Sequence, residues 1–136
     1  MRGAALLMLA AMLAAGEWVA VDVTATAYCP CQLCCGRRGV GITANGTDTR
    51  TEPYGIAADP TRIPYGSVIW IPTGEGYLDR SRPDDDARQF TVDDTGGIIR
   101  RRTRQTGRVH LDLRFIQHRN AVRFGVRRMT VYLWKD

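Results

Sequence analysis

In two segments of the chain, apolar residues occupy every second position. Between residues 19 and 28, these positions are Val19, Val21, Val23, Ala25 and Ala27. Between residues 108 and 115, they are Val109, Leu111, Leu113 and Phe115. A period of two is typical of a strand with one buried face, so both segments are predicted to be half-buried strands.

Shorter apolar runs between turn residues predict the remaining strands. These runs cover residues 55–58, 67–71, 90–92 and 129–134. One helix is predicted over residues 116–124, because apolar residues recur there at a weak helical period and a glycine follows. Many short strands, one short helix and frequent turns indicate an all-β barrel.

The first sixteen residues have the pattern of a secretory signal peptide. Arg2 precedes an apolar stretch from Ala4 to Ala15, and Ala14-Ala15-Gly16 offers small residues for cleavage before Glu17. The stretch is shorter than the roughly 20 residues of a membrane-spanning helix, so cleavage is expected rather than a retained anchor. We therefore expect an exported protein in the periplasm, the cell envelope or the medium. Residues 17–136 would form its one domain, without stable membrane insertion.

Arginine supplies almost all of the positive charge. The formal net charge is +5, and Lys135 is the only lysine. The densest cluster comprises Arg100-Arg101-Arg102 and Arg104, in a stretch that is predicted to be a loop. No aromatic residue interleaves with this cluster, so nucleic acid is not an expected partner. The arginines indicate either a solvated loop or a contact surface for an acidic polymer.

All four cysteines lie within seven residues, as Cys29, Cys31, Cys34 and Cys35. Export favours disulfides, but three pairings are possible and the sequence does not choose among them. A zinc or iron–sulfur site usually takes two separated cysteine pairs, and one tight loop can hardly surround a tetrahedral ion. Disulfides are therefore predicted, with no metal and no cofactor; reactive thiols and a metal are the alternatives.

Three aspartates are the best candidates for chemistry. Asp59 lies in a proline-containing turn, Asp94 begins an Asp-Thr-Gly-Gly motif, and Asp112 lies on the polar face of a predicted strand. Each also has a structural interpretation, as a turn residue, a turn cap or a surface carboxylate paired with an arginine. A catalytic role becomes the stronger interpretation if the fold brings the three carboxyl groups together. Neighbouring carboxylates set each other's pKa, and a protonated one can donate to a leaving group.

The flanks of these aspartates resemble the 3D domain family, which is named for three aspartates. The resemblance rests on several ordered segments and spans residues 23–135. Its segments are Tyr28-Cys29-Pro30-Cys31, Thr43-Ala44-Asn45-Gly46, Gly55 to Pro60, Ile63 to Ser67, Asp94 to Ile99, Val109 to Leu113, and Ala121 to Gly125.

The resemblance implies a double-psi β-barrel similar to the catalytic domain of membrane-bound lytic transglycosylase A, and more distantly to expansins and barwin-like proteins. It implies cleavage of peptidoglycan between N-acetylmuramic acid and N-acetylglucosamine, with a 1,6-anhydro product. Asp112 would be the acid and base, Asp94 its electrostatic partner and Asp59 a supporting catalytic residue. The implied substrate-binding residues are Tyr28, Thr43, Gly96 and Gly97.

This chain departs from the family pattern in two places. An arginine-rich extension, residues 100–107, separates the second and third aspartate motifs, and Asn45 stands where a serine is frequent. Three alternative functions remain open: a non-catalytic, expansin-like glycan-binding module, an aspartic protease using the Asp94-Thr95-Gly96 signature, and a redox or metal module built on the cysteines. A hydrolase with the same site is a further possibility.

Overall fold

A computed structural model describes residues 16–31, 35, 41–72 and 88–136. The predicted signal peptide, apart from Gly16, lies outside the described residues, and so does Cys34. In the part of the chain that is described, no helix is long and apolar enough to cross a membrane.

The described residues form six strands and two helices. In chain order these are β1 (Glu17–Tyr28), β2 (Gly55–Ala57), β3 (Val68–Trp70), β4 (Gln89–Asp94), α1 (Gly97–Thr106), β5 (Val109–Arg114), α2 (His118–Phe124) and β6 (Arg127–Lys135).

The strands close into a barrel with the order β1-β5-β2-β4-β3-β6. Two neighbouring pairs, β1 with β5 and β2 with β4, are parallel, and the other four pairs are antiparallel. The closed barrel confirms the predicted all-β class, and two parallel pairs within one small barrel fit the double-psi arrangement. Closure also pairs each of the six described strands with a neighbour on both sides.

The alternating apolar positions, apart from Val19, pack in the core of the barrel or against it, as predicted. Val23 and Ala25 of β1, together with Leu111 and Leu113 of β5, are at most 1% exposed. The opposite face of β5 differs from the prediction, because neighbouring segments cover it. His110 is buried beneath α1, where its backbone N–H donates to Thr103 Oγ1, and Arg114 is also buried. Only Asp112 on this face stays partly open.

Helix α1 corrects the predicted arginine-rich loop. Its arginines largely face outward, while Ile99 and Thr103, four residues apart, are buried against the barrel. Because i and i+4 lie on one face of a helix, these two residues provide the packed side. The helix ends at Gly107, which has a φ of 69° and donates its N–H to the carbonyl of Thr103. One buried face and a left-handed cap are therefore enough for a helix here.

Helix α2 confirms the predicted second-half helix, starting two residues later than expected. It buries Ala121 and Phe124, and the Phe124 ring packs edge-on against Phe115 with centroids 5.6 Å apart. Gly125 follows with a φ of 66° and ends the helix. This packing holds the start of α2 close to the end of β1, where the cysteine segment begins.

Candidate active site

A groove of about 380 Å³ opens where β1, β4 and β5 end. Its lining includes Tyr28 at the end of β1, the segment from Gly41 to Thr43, and Asp94 to Gly96. Asp112 and Ala57 also line it. The groove therefore contains two of the three predicted aspartates, and the structure brings these two together.

Strand register places the groove aspartates on either side of one small residue. Ala57 of β2 pairs with Asp112 of β5 on one side and with Asp94 of β4 on the other. Thr26 of β1 pairs with Asp112 in turn. Two strand spacings of about 4.8 Å separate the backbones of the two aspartates by about 10 Å. The methyl side chain of Ala57 leaves the space between the carboxyl groups open.

A register shift in β2 and β4 selects Asp94 rather than Asp93 for the groove. Ile56 pairs with Val92, but Ala57 pairs with Asp94, so Asp93 is the extra residue of a β-bulge. Bulges re-aim side chains and are common beside active sites. The alternation of apolar and polar residues along a strand cannot reveal such a shift.

The environment of Asp112 favours its protonated form. Burial raises the pKa of this carboxyl to about 6, and the negative charge of Asp94 acts in the same direction. A hydrogen bond of 2.9 Å from Thr26 Oγ1 to Asp112 Oδ1 opposes the rise, as does the charge of Arg102. Asp112 has no arginine ion pair among the described residues. It can therefore hold a proton near neutral pH and release it.

Three donors hold the carboxylate of Asp94. Tyr28 Oη donates to Oδ2 at 2.8 Å, and the backbone N–H groups of Ala44 and Thr95 both donate to Oδ1 at 2.9 Å. Burial and the Asp94 charge raise the pKa of the Tyr28 phenol far above its ordinary value, so Tyr28 remains a donor. The orientation of Asp94 is thus fixed by β1, by the 41–49 segment and by its own turn.

Asp59 lies outside the groove lining. Its buried carboxylate accepts two hydrogen bonds from Thr61, at 2.7 and 3.1 Å, and pairs with Arg104 of α1 at 3.3 Å. Burial acts to raise the pKa of Asp59, but the Thr61 hydrogen bonds and the Arg104 charge outweigh it and lower that pKa. The ion pair therefore connects the turn at Asp59 to the last part of α1. Ile99, near the start of the same helix, lines the groove.

A buried ion pair beneath the groove was missed by sequence reasoning. Arg114 donates to both carboxylate oxygens of Asp93, at 2.7 and 2.8 Å, and both side chains are at most 5% exposed. Arg114 also donates to the carbonyls of Glu52 and Pro53. The bidentate geometry is the strong form of this contact. The sequence signal was an arginine on the same strand face as Asp112, but its partner lies 21 residues away.

The other predicted binding residues differ in position. Thr43 is buried in the groove wall, where its hydroxyl donates to Asn45 Oδ1 at 2.9 Å and accepts from the backbone N–H of Thr47. Gly96 lines the groove, and a Cβ built on it meets nothing within 4 Å. Gly97 begins α1 and is not among the lining residues. Asn45, the departure from the family pattern, thus braces Thr43.

The cysteine segment begins directly after Tyr28. Cys29 and Cys31 form a disulfide, which agrees with the predicted chemistry for one pair. Cys35 lies at the groove, with its Sγ 3.4 Å from the carbonyl oxygen of Cys29. His118 of α2 contacts both disulfide sulfurs, at 3.4 Å each, a contact that the sequence did not suggest.

Comparison with known protein families gives a match that covers most of the barrel. The model of the 3D domain matches residues 54–135, which is more than half of the chain. This span contains all three predicted aspartates and begins after the cysteine segment and the 41–49 wall of the groove. A search of curated proteins found no match.

Proposed function

Because the chain belongs to the 3D domain family, known for peptidoglycan-related domains like those of lytic transglycosylases, we propose that it cleaves peptidoglycan glycan strands without water. The observation that carries the proposal is the groove in which Ala57 separates Asp112 from Asp94. One carboxyl there has a raised pKa, and the other is held by three donors. That difference is what an acid and an electrostatic partner require.

In the first step, protonated Asp112 donates its proton to the glycosidic oxygen between N-acetylmuramic acid and N-acetylglucosamine. The bond between that oxygen and the anomeric carbon breaks, and positive charge develops on the muramoyl ring. The carboxylate of Asp94 stabilises this charge across the groove. Its fixed orientation matters because a preorganised group needs no rearrangement as the charge forms.

In the second step, the muramoyl 6-hydroxyl attacks the anomeric carbon and closes the 1,6-anhydro ring. Asp112, now ionised, accepts the hydroxyl proton and so returns to its starting form. One residue can serve as acid and then as base when its pKa lies near the working pH. No water is consumed, and every proton that leaves Asp112 comes back.

Four further residues have supporting roles in this proposal. Tyr28 and Thr43 shape the groove, and Tyr28 also orients Asp94 through the 2.8 Å hydrogen bond. Asp59 acts as a positioning residue, because its ion pair with Arg104 holds α1 beside the groove. Gly96 leaves the groove floor open to a sugar ring.

Digestion of purified peptidoglycan in ¹⁸O-labelled water tests the reaction type. The expected products are 1,6-anhydro muropeptides without ¹⁸O, identified by mass spectrometry. Products with reducing ends that carry ¹⁸O would instead show hydrolysis at this site. If no soluble product forms but the protein sediments with peptidoglycan, the expansin-like binding function would replace the proposed cleavage. We also propose that the protein is exported to the cell envelope by its signal peptide. Its partner there would be the peptidoglycan strands.

A further inference from the structure

Two distant segments bring three metal-binding side chains together beside the groove. His118 begins α2, whereas Cys29 and Cys31 follow β1 and flank Pro30, which lines the groove. The Nδ1 atom of His118 lies 3.4 Å from the sulfur of Cys29 and 3.4 Å from that of Cys31. The three potential ligand atoms all lie within 4.8 Å of one another.

These separations match part of a tetrahedral metal site. With Zn–S bonds of about 2.3 Å and Zn–N bonds of about 2.0–2.1 Å, a sulfur and a nitrogen ligand of one zinc ion lie about 3.5 Å apart. Each sulfur already has this distance to His118. The two sulfurs are bonded to each other, however, so a metal can bind only after that bond opens.

The ligand from α2 also removes the objection raised by the sequence. Four cysteines within one short loop cannot easily surround an ion, but His118 approaches from a different element. Two thiolates and one imidazole are soft to intermediate ligands, which suit Zn²⁺ better than Mg²⁺ or Ca²⁺. The described residues thus supply three of the four ligands that a tetrahedral zinc ion takes.

We propose that Cys29, Cys31 and His118 bind Zn²⁺, or another thiophilic divalent cation, when the Cys29–Cys31 disulfide is reduced. A dithiol or phosphine reductant supplies two electrons and is itself oxidised, while two protons complete the thiols. Cation binding then releases the thiol protons to solvent. The disulfide and the metal site are thus alternative states of one cluster. This proposal does not depend on glycan cleavage.

Cobalt titration of the full chain tests the proposal. The protein is reduced with a phosphine without oxygen, desalted and titrated with Co²⁺. We expect thiolate-to-cobalt charge-transfer absorption and the visible bands of tetrahedral cobalt, saturating at one ion per chain and displaced by Zn²⁺. The oxidised protein, treated in the same way, is expected to show neither. Equal binding by the two forms would overturn the proposal.

The two histidines of the chain provide a matched pair of variants. His118→Ala is expected to weaken Co²⁺ binding by more than the roughly 10–100-fold that loss of an outer-shell contact costs. His110→Ala should leave the affinity unchanged, because the His110 ring lies at Thr106 of α1. Circular dichroism checks that both variants are folded. The double variant Cys29→Ser/Cys31→Ser provides a second test, and full binding by it or by His118→Ala would contradict the site.

Discussion

Two aspartates in this barrel make the same hydrogen bond but have different chemistry. Asp22 accepts from Thr130 at 2.8 Å, and Asp112 accepts from Thr26 at 2.9 Å. Asp22 is exposed, whereas Asp112 is largely buried and faces the charge of Asp94. Burial and a like charge, rather than the threonine contact, therefore distinguish the proposed acid, and Asp22 is its natural control.

The raised pKa of Asp112 predicts a stability cost at alkaline pH. The folded protein holds this proton more tightly than the unfolded chain, so the stability gained from protonation is present below about pH 4. It is lost as the pH rises through about 6. Asp112→Asn removes the ionisation and keeps an acceptor for Thr26. Its free energy of unfolding should therefore exceed that of the wild type by more at pH 8 than at pH 4. The difference between the two pH values should be up to about 3 kcal/mol.

Urea denaturation of the wild type, Asp112→Asn and Asp22→Asn at pH 4 and pH 8 measures this effect. Asp22→Asn, which removes an exposed carboxyl that also accepts from a threonine, is the control for the substitution itself. A stability difference between Asp112→Asn and the wild type that is the same at both pH values would contradict the assigned pKa.

Thr26 predicts a shift in the pH dependence of activity. Its hydrogen bond lowers the pKa of Asp112, so Thr26→Val should raise that pKa further. The alkaline limb of kcat/KM, where the acid form is lost, should then move to higher pH by about one unit.

The matched control is Thr24→Val on the same strand, since the Thr24 hydroxyl accepts from Arg108 and is not bonded to Asp112. Its alkaline limb should coincide with that of the wild type. A shift to lower pH in Thr26→Val, or equal shifts in both variants, would argue against Asp112 as the acid.

At the scale of elements, the strands were predictable and α1 was not. Alternating residues in β1 and β5 determine which side is buried, because a one-residue slip would expose the whole apolar set. In α1, only Ile99 and Thr103 are buried, so the apolar period is too short to stand out among the arginines. Its helical state depends on packing against β5, which the local sequence does not contain.

The two glycines that bound α1 predict opposite effects of one substitution. Gly107→Ala forces a side chain into a left-handed conformation with a φ of 69°, which should cost about 1–2 kcal/mol of stability. Gly97→Ala lies in the first helical turn, where a Cβ has room, and should be neutral or stabilise by up to about 0.5 kcal/mol. Equal changes in urea denaturation midpoints would show that the helix boundaries are wrong.

At the scale of the whole molecule, the buried Asp93–Arg114 pair links β4 to β5 across β2. Gly55 of β2 lies between them, and a Cβ there would come within 2.5 Å of Arg114 Nη2 and of Asp93 Oδ1. This packing, like the contact of His118 with the cysteines, joins residues far apart in sequence. Sequence patterns ranked Asp112 and Asp94 through their local flanks, but the partners in these long-range pairs cannot be identified from the local sequence.

Gly55→Ala should therefore destabilise the barrel by overpacking. The charged groups are buried and held by several hydrogen bonds, so they cannot move aside cheaply, and the expected loss is about 1–3 kcal/mol. The same substitution at Gly97, where the nearest atom is 4.0 Å away, provides the steric control in thermal or urea denaturation. An unchanged midpoint for Gly55→Ala would mean that the ion pair is looser than described.

The most direct test of the central claim compares Asp112→Asn with Asp22→Asn on purified peptidoglycan. Both variants lose one carboxyl that accepts a threonine hydroxyl, but only Asp112 lies in the groove. We predict that Asp22→Asn releases 1,6-anhydro muropeptides at the wild-type rate. Product release by Asp112→Asn should be at least about 100-fold slower than by the wild type, as expected for loss of a general acid. Equal product release by the two variants would contradict the account.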